Sequence, residues 1–98
     1  MSQRAQVSNI RKRDGRIVKF RSEKIANAIF KAMAATGKPD RELADAIASQ
    51  SVSKVFERFA GRIPSVEDVQ DVVEETLMES GETKAAKAYI LYRQKRAA

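Results

Sequence analysis

Val7-Ser-Asn-Ile-Arg-Lys-Arg-Asp-Gly-Arg-Ile-Val-Lys-Phe20 is the stretch on which the fold turns. Asp14-Gly15 is a hairpin dipeptide of the type I′ kind: glycine accepts a positive φ freely, and aspartate does so better than most residues. Val7–Lys12 and Arg16–Phe20 are the strands it joins. Their alternation is imperfect, because Ile17 and Val18 stand on opposite faces. An isolated hairpin is marginal in water, so this one needs something to lie on.

The residues that follow supply it. Ser22 is placed to cap a helix whose first turn holds Glu23, and Ile25, Ile29, Ala32 and Met33 recur at helical spacing to about Ala35. Thr36-Gly37-Lys38-Pro39 ends it, and Asp40 can cap a second helix carrying Leu43, Ile47, Val52, Val55, Phe56 and Phe59 up to Gly61. Pro64 holds Ile63 extended, which allows a brief third strand. Ser65-Val66-Glu67-Asp68 is a capping-box pattern, and Val66, Val69, Val73, Leu77 and Met78 form the third stripe, with Gly81 beyond it. Thr83 opens a fourth helix bearing Ala85, Ala88, Tyr89, Leu91 and Tyr92. The predicted fold is α+β: a four-helix bundle capped by a small N-terminal hairpin or three-stranded sheet, in a single domain over residues 1–98 with its core at 7–96. The final helix reaches Arg96 with no stop signal, as expected of an excised part of a longer chain.

The 98 residues contain neither cysteine nor histidine, which excludes disulfides, zinc–thiolate sites, thiol nucleophiles and imidazole bases. A hydrophobic share of 43 % beside 33 % charged residues suits a folded domain. No apolar run approaches a membrane span and no signal-peptide core follows Met1, so a cytoplasmic location is the default expectation. The net charge of +6 is unevenly spread. Residues 1–21 hold seven basic residues against one acidic, and residues 82–98 hold five against one. Residues 22–81 hold seven against eleven. Two basic ends therefore flank an acidic middle, and a small anion could sit where the ends meet.

Three features could bind such an anion. The hairpin edge Arg11-Lys12-Arg13-Asp14-Gly15-Arg16 is one; its ordinary reading is solvated charge that keeps an edge strand from aggregating. The helix start at Pro64-Ser65-Val66 is the second, where plain capping explains the residues equally well. The third is Arg93, Lys95 and Arg96, which the helix dipole favours at a C-terminus in any case. Two or three charge-assisted hydrogen bonds to a triphosphate would support roughly micromolar affinity, about −8 kcal/mol, after ordering costs. The carboxylates Glu67, Asp68, Asp71, Glu74 and Glu75 fit a solvated helix face better than acid–base or Mg²⁺ chemistry. Gly37-Lys38 is no P-loop, because Ala32 stands where a glycine is needed and Pro39 where a hydroxyl is.

Ile10-Arg-Lys-Arg-Asp-Gly-Arg-Ile-Val-Lys-Phe-Arg-Ser-Glu-Lys-Ile25, Ile63-Pro-Ser-Val-Glu-Asp-Val-Gln-Asp-Val-Val-Glu75 and Ala85-Ala-Lys-Ala-Tyr-Ile-Leu-Tyr-Arg93, in that order and spacing, resemble the ATP-cone. This is the nucleotide-sensing domain found at the N-terminus of many ribonucleotide reductases, with a related cone in the bacterial repressor of reductase genes. The resemblance covers about residues 7–96. It implies four helices capped by a three-stranded sheet, with ATP or dATP, accompanied by Mg²⁺, bound between sheet and helices. It implies Lys12, Arg13 and Lys95 on the phosphates, and Lys24 reaching the nucleotide from the first helix. Ile10, Phe20, Ile25 and Val69 would pack around adenine, and Val66, Asp68 and Gln70 would line the sugar and phosphate side. Val18 is apolar where some members carry a carboxylate near the base. The repressor's cysteine-rich zinc ribbon has no counterpart here, and the Tyr-Ile-Leu-Tyr-Arg ending is closer to the reductase cones.

The expected function is therefore a non-catalytic allosteric module. It would bind ATP and dATP competitively and control the activity or oligomerisation of an attached reductase. Its partners would be the catalytic domain or a second cone. The alternative is a basic DNA-binding or transcriptional regulator domain, motivated by the pI of about 9.9 and opposed by the acidic faces at 67–79. An inert dimerisation bundle is a third class.

Overall fold

In the structure, a computed structural model, residues 6–97 are described. Arg4 of the basic N-terminal end lies outside them. The order is β1 (Asn9–Arg11), β2 (Ile17–Lys19), α1 (Ser22–Ala35), α2 (Arg41–Arg58), α3 (Val66–Glu79) and α4 (Thr83–Ala97). The strands are antiparallel, with Asn9 opposite Lys19, Ile10 opposite Val18 and Arg11 opposite Ile17. The ladder is shorter than the sequence pattern suggests, at three residues a side. The third strand is reduced to one parallel bridge between Arg11 and Ser65, where the Arg11 amide donates to the Pro64 carbonyl at 2.9 Å.

The hairpin turn differs from the type I′ expectation. Only Gly15 has positive φ (90°), and Asp14 does not. The Gly15 amide donates to the Lys12 carbonyl at 2.9 Å, and the Lys12 amide to that of Arg16 at 2.8 Å. This is a three-residue loop, a type I turn closed by a left-handed glycine, which suits a strand pair as well. Asp14 instead accepts from the Arg16 amide at 3.1 Å and from its guanidinium at 2.8 Å. Those two bonds hold the Asp14 carboxyl below its usual range.

Asp40 caps α2 by accepting from the Leu43 amide at 3.0 Å. Ser65 and Asp68 form the complete capping box of α3. Ser22 is not a cap: it is the first helical residue, and Arg21 holds the cap position without a side-chain bond. Gly81 (φ 79°) ends α3 with the paired bonds of a Schellman motif, Glu82 amide to Leu77 carbonyl and Gly81 amide to Met78 carbonyl.

Each helix packs on its neighbour in the chain, and α4 closes back on α1. Ile29, Met33, Ile47, Val55, Val73 and Leu77 are fully buried at the centre, each side chain of this size contributing about 1.5–3 kcal/mol of burial. Two expected core residues are not in it. Met78 is 55 % exposed and Leu91 66 %. Their positions fall outside the bundle-facing arcs that Leu77 and the Ala85/Ala86/Tyr89 set occupy. The hairpin covers one end of the bundle through Val7, Ile10 and Phe20, the Phe20 ring lying 6.0 Å from that of Phe56 on α2. No helix among the described residues is long and apolar enough to cross a membrane.

Candidate functional site

Where the hairpin meets the bundle it leaves a cavity of about 640 Å³, within the size range of small-ligand sites. Its floor is apolar. Ile10 and Val18 face each other across the ladder and point inward, and Phe20 follows at the strand end. Ile25 and Ala28 come from α1, and Val66 and Val69 from the first turns of α3. One wall is α4, where Tyr89 and Tyr92 stand with ring centroids 5.9 Å apart. Burial pushes the Tyr89 hydroxyl above its ordinary pKa, so it stays protonated.

The rim is cationic. Among the described residues, Lys12, Arg13, Lys19, Arg21, Lys24, Lys95 and Arg96 line it, and Asp14, paired with Arg16, is the one carboxylate there. These seven come from both basic ends and the start of α1, so the fold joins what 70 intervening residues separate (Lys24 to Lys95). Lys12, Lys19, Lys24 and Lys95 make no ion pair among the described residues. Arg96 lies over the Tyr92 ring at 6.0 Å. The α1 N-terminus, which lacks a side-chain cap, contributes Arg21 and Lys24 and adds its dipole to the same field.

Arg13 is held differently. Its guanidinium donates to Glu67 at 2.5 Å and to the Gln70 side-chain carbonyl at 3.4 Å. Gln70 is itself buried and accepts a second bond, 3.2 Å from Nε of Arg93. Arg93 also donates to Asp71 at 2.9 Å and to Glu74 at 2.5 Å. Arg93 therefore ties α4 to α3, and is not a cation of the rim.

Of the residues expected at the site, Ile10, Lys12, Arg13, Phe20, Lys24, Ile25, Val66, Val69, Gln70 and Lys95 all line the cavity. Asp68 does not. Its carboxylate accepts from the Ser65 amide at 2.9 Å, closing the capping box that sets the first turn of α3. The cavity also takes Lys19, Arg21, Ala28, Tyr89 and Tyr92, which the sequence leaves out of the site, together with Val18 and with Arg96 of the basic last turn. The helical pattern alone reads the two tyrosines as core. Their spacing with Arg96, at i, i+3 and i+7, is the signal that they share one face with a cation. The carboxylates of α3 lie on a largely solvated face, as expected, where Glu67, Asp71, Glu74 and Glu75 also pair with Arg13, Arg93, Arg58 and Lys54, while Asp68 serves the cap.

A concave apolar floor, two aromatic rings and a cationic rim suit a planar base joined to a multiply charged anion. The family model for the ATP cone domain matches residues 8–98. The chain belongs to the ATP-cone family. The cone is 41 % identical over 97 residues to a vitamin B12-dependent ribonucleoside-diphosphate reductase of Thermoplasma acidophilum, covering 94 % of this chain and 12 % of that protein. It is 36 % identical over 85 residues to an anaerobic ribonucleoside-triphosphate reductase of Haemophilus influenzae, covering 87 % of this chain and 12 % of the relative. A ribonucleoside-diphosphate reductase subunit alpha of Chlamydia muridarum is 40 % identical over 96 residues, 88 % of the cone and 9 % of the relative. The chain thus spans about a tenth of the length of the curated relatives it matches. ATP-cones are nucleotide-binding regulatory domains, whereas these relatives are catalytic reductases. The family model and the relatives give no support to the DNA-binding alternative.

Proposed function

We propose that this cone binds ATP and dATP competitively in the hairpin cavity, and that the occupant biases the activity or oligomeric state of a reductase catalytic region on the same polypeptide. The observation that carries this reading is the convergence of seven cations, six from the two basic ends and Lys24 from α1, around one apolar floor. In this reading Lys12, Arg13 and Lys95 take the phosphates, joined by Lys24 from α1. Adenine packs against Ile10, Phe20, Ile25 and Val69, while Val66 and Gln70 line the sugar and phosphate side. Asp68 acts indirectly, by fixing the turn that presents Val66, Val69 and Gln70.

Mg²⁺ would travel with the nucleotide. Among the described residues no three acidic side chains gather to hold a metal, so phosphate oxygens and water would be its main ligands. A cytoplasmic setting, where both nucleotides and reductase substrates are found, fits this role.

The module need supply no chemistry. It needs a differential affinity between two states of the parent enzyme, typically about 1–3 kcal/mol. Calorimetric titration of the 98-residue chain with ATP, dATP and GTP tests the binding step. Adenine nucleotides should bind, and each should displace the other. At about 100 times Kd, ligand should raise stability by about 2.7 kcal/mol in a thermal or denaturant melt. A folded sample that takes up no adenine nucleotide at millimolar concentration would refute the proposal.

A further inference from the structure

We infer that Glu67 sets the affinity of the cavity by occupying Arg13 until a phosphate displaces it. The inference rests on the proposed reading that phosphates meet Arg13. Of the phosphate-side cations, Lys12, Lys24 and Lys95 stand without ion-pair partners among the described residues, and only Arg13 is already bound to a carboxylate. The Arg13–Glu67 contact joins the hairpin turn to the first turn of α3, 54 residues apart, at 2.5 Å. Neither partner is buried, with side chains 36 % and 51 % exposed, so the pair is exchangeable. Gln70 holds the other amino group of Arg13 at 3.4 Å, which keeps the guanidinium at the cavity edge while its carboxylate partner changes.

Glu67 sits favourably in the first turn of α3, but that place does not require a contact with Arg13. The α3 cap is complete without it, since Ser65 and Asp68 satisfy each other's amides. Its side chain does not line the cavity, so it does not hold the ligand. What it does is impose an exchange: a ligand that uses Arg13 must break one ion pair to form another. A ligand that never reaches Arg13 incurs no such cost. Glu67 thus lowers affinity selectively for phosphate-bearing ligands and moves the half-saturation point upward.

Titrations of the 98-residue chain at about 0.15 M salt, where distant charges are screened, test this with ATP and adenosine on four proteins: wild type, Glu67→Gln, Arg13→Ala and the double variant. Glu67→Gln should bind ATP about two- to fivefold more tightly, the factor an exposed ion pair can supply. Adenosine affinity should not move. In the Arg13→Ala background the gain should vanish. Glu67→Ala, which cannot hydrogen-bond Arg13 at all, should reproduce the gain, and a melt of each variant checks that α3 stays folded. Unchanged or weaker ATP binding by folded Glu67→Gln and Glu67→Ala overturns the inference while leaving the nucleotide site intact. A gain that persists without Arg13 also overturns it, by making Glu67 a diffuse field effect. A wild-type chain that binds no ATP removes both readings together.

Discussion

Two clusters of basic residues in this small bundle have opposite fates. On the far face of α2, Lys54 and Arg58 are consumed by α3: Arg58 makes a two-pronged contact with Glu75 at 2.6 and 3.1 Å, and Lys54 donates to Glu75 at 3.2 Å and also to Glu79. Around the hairpin cavity, four lysines face a shared space without a carboxylate partner among the described residues. Like charges gathered around a concavity repel one another, and a fold retains that cost where something outside the chain relieves it. The paired cluster joins helices, while the unpaired one is where the proposed nucleotide would place its phosphates. Arg13 and Arg93 stand between these extremes, both in touch with Gln70.

The sharpest way to break this contrast is to remove the unpaired charges. Lys12→Ala and Lys95→Ala should each weaken ATP binding by about 1–3 kcal/mol, and together by roughly 2–5 kcal/mol, with melting behaviour unchanged or improved once the mutual repulsion is relieved. Calorimetry on the two single variants and the double variant reads this directly. If the losses are confined to one of the two lysines, the ends of the chain do not share a ligand. Arg58→Ala is the matched control and should leave nucleotide affinity where it was.

Much of this contrast is legible in the amino-acid order itself. The helix stripes specify the bundle because Ile25, Ile29, Ala32 and Met33 obey one period, and all four are buried. The capping box at Ser65 is readable because it is a local exchange of hydrogen bonds three residues apart. Asp14-Gly15 announces a turn but not its type, since a dipeptide alone does not say whether the residue before glycine also takes positive φ. The cations of the site are visible as basic ends, and the resemblance assigns most of their roles. Hidden are the partners: nothing in the linear order of Arg13, Glu67, Gln70 and Arg93 says that the first and the last meet at one amide. Such pairings depend on how α3 and α4 are turned about their axes, which the burial of Val69, Val73, Ala86 and Tyr89 decides jointly.

The intermediate region sharpens the comparison at a smaller scale. Arg93 has a side chain 17 % exposed and three acceptors, on Gln70, Asp71 and Glu74. Arg93→Ala should therefore cost about 1–3 kcal/mol of stability, by leaving the buried Gln70 oxygen with only its long bond from Arg13 and the half-buried Glu74 carboxylate unpaired, with the exposed Asp71 adding little. It should also loosen Arg13, so a modest loss of ATP affinity is expected alongside the lower melting point. Arg93→Lys cannot reproduce the planar fork and should recover only part of the stability. A variant that melts like the wild type would show that the α3–α4 tie is decorative.

The paired cluster yields the smallest effect, and its sign follows from one group. The Arg58 guanidinium, aided by Lys54, holds the Glu75 carboxyl at a pKa of about 2 against an ordinary 4.5. A depressed folded-state pKa means that the unfolded chain takes up the proton first as pH falls. The contribution of Glu75 is thus fully present above about pH 4.5 and is lost progressively towards pH 2. Because the network is open to solvent, salt should shrink it. Melts of the wild type and of Glu75→Gln between pH 6 and pH 2, at low and high salt, isolate the term. The difference between the two proteins should close on acidification and be smaller in high salt at every pH. A gap that stays constant through pH 2 would mean that Glu75 acts through packing and that its charge is incidental. The cavity lysines, which have no such partner, should show no corresponding acid-linked loss when substituted.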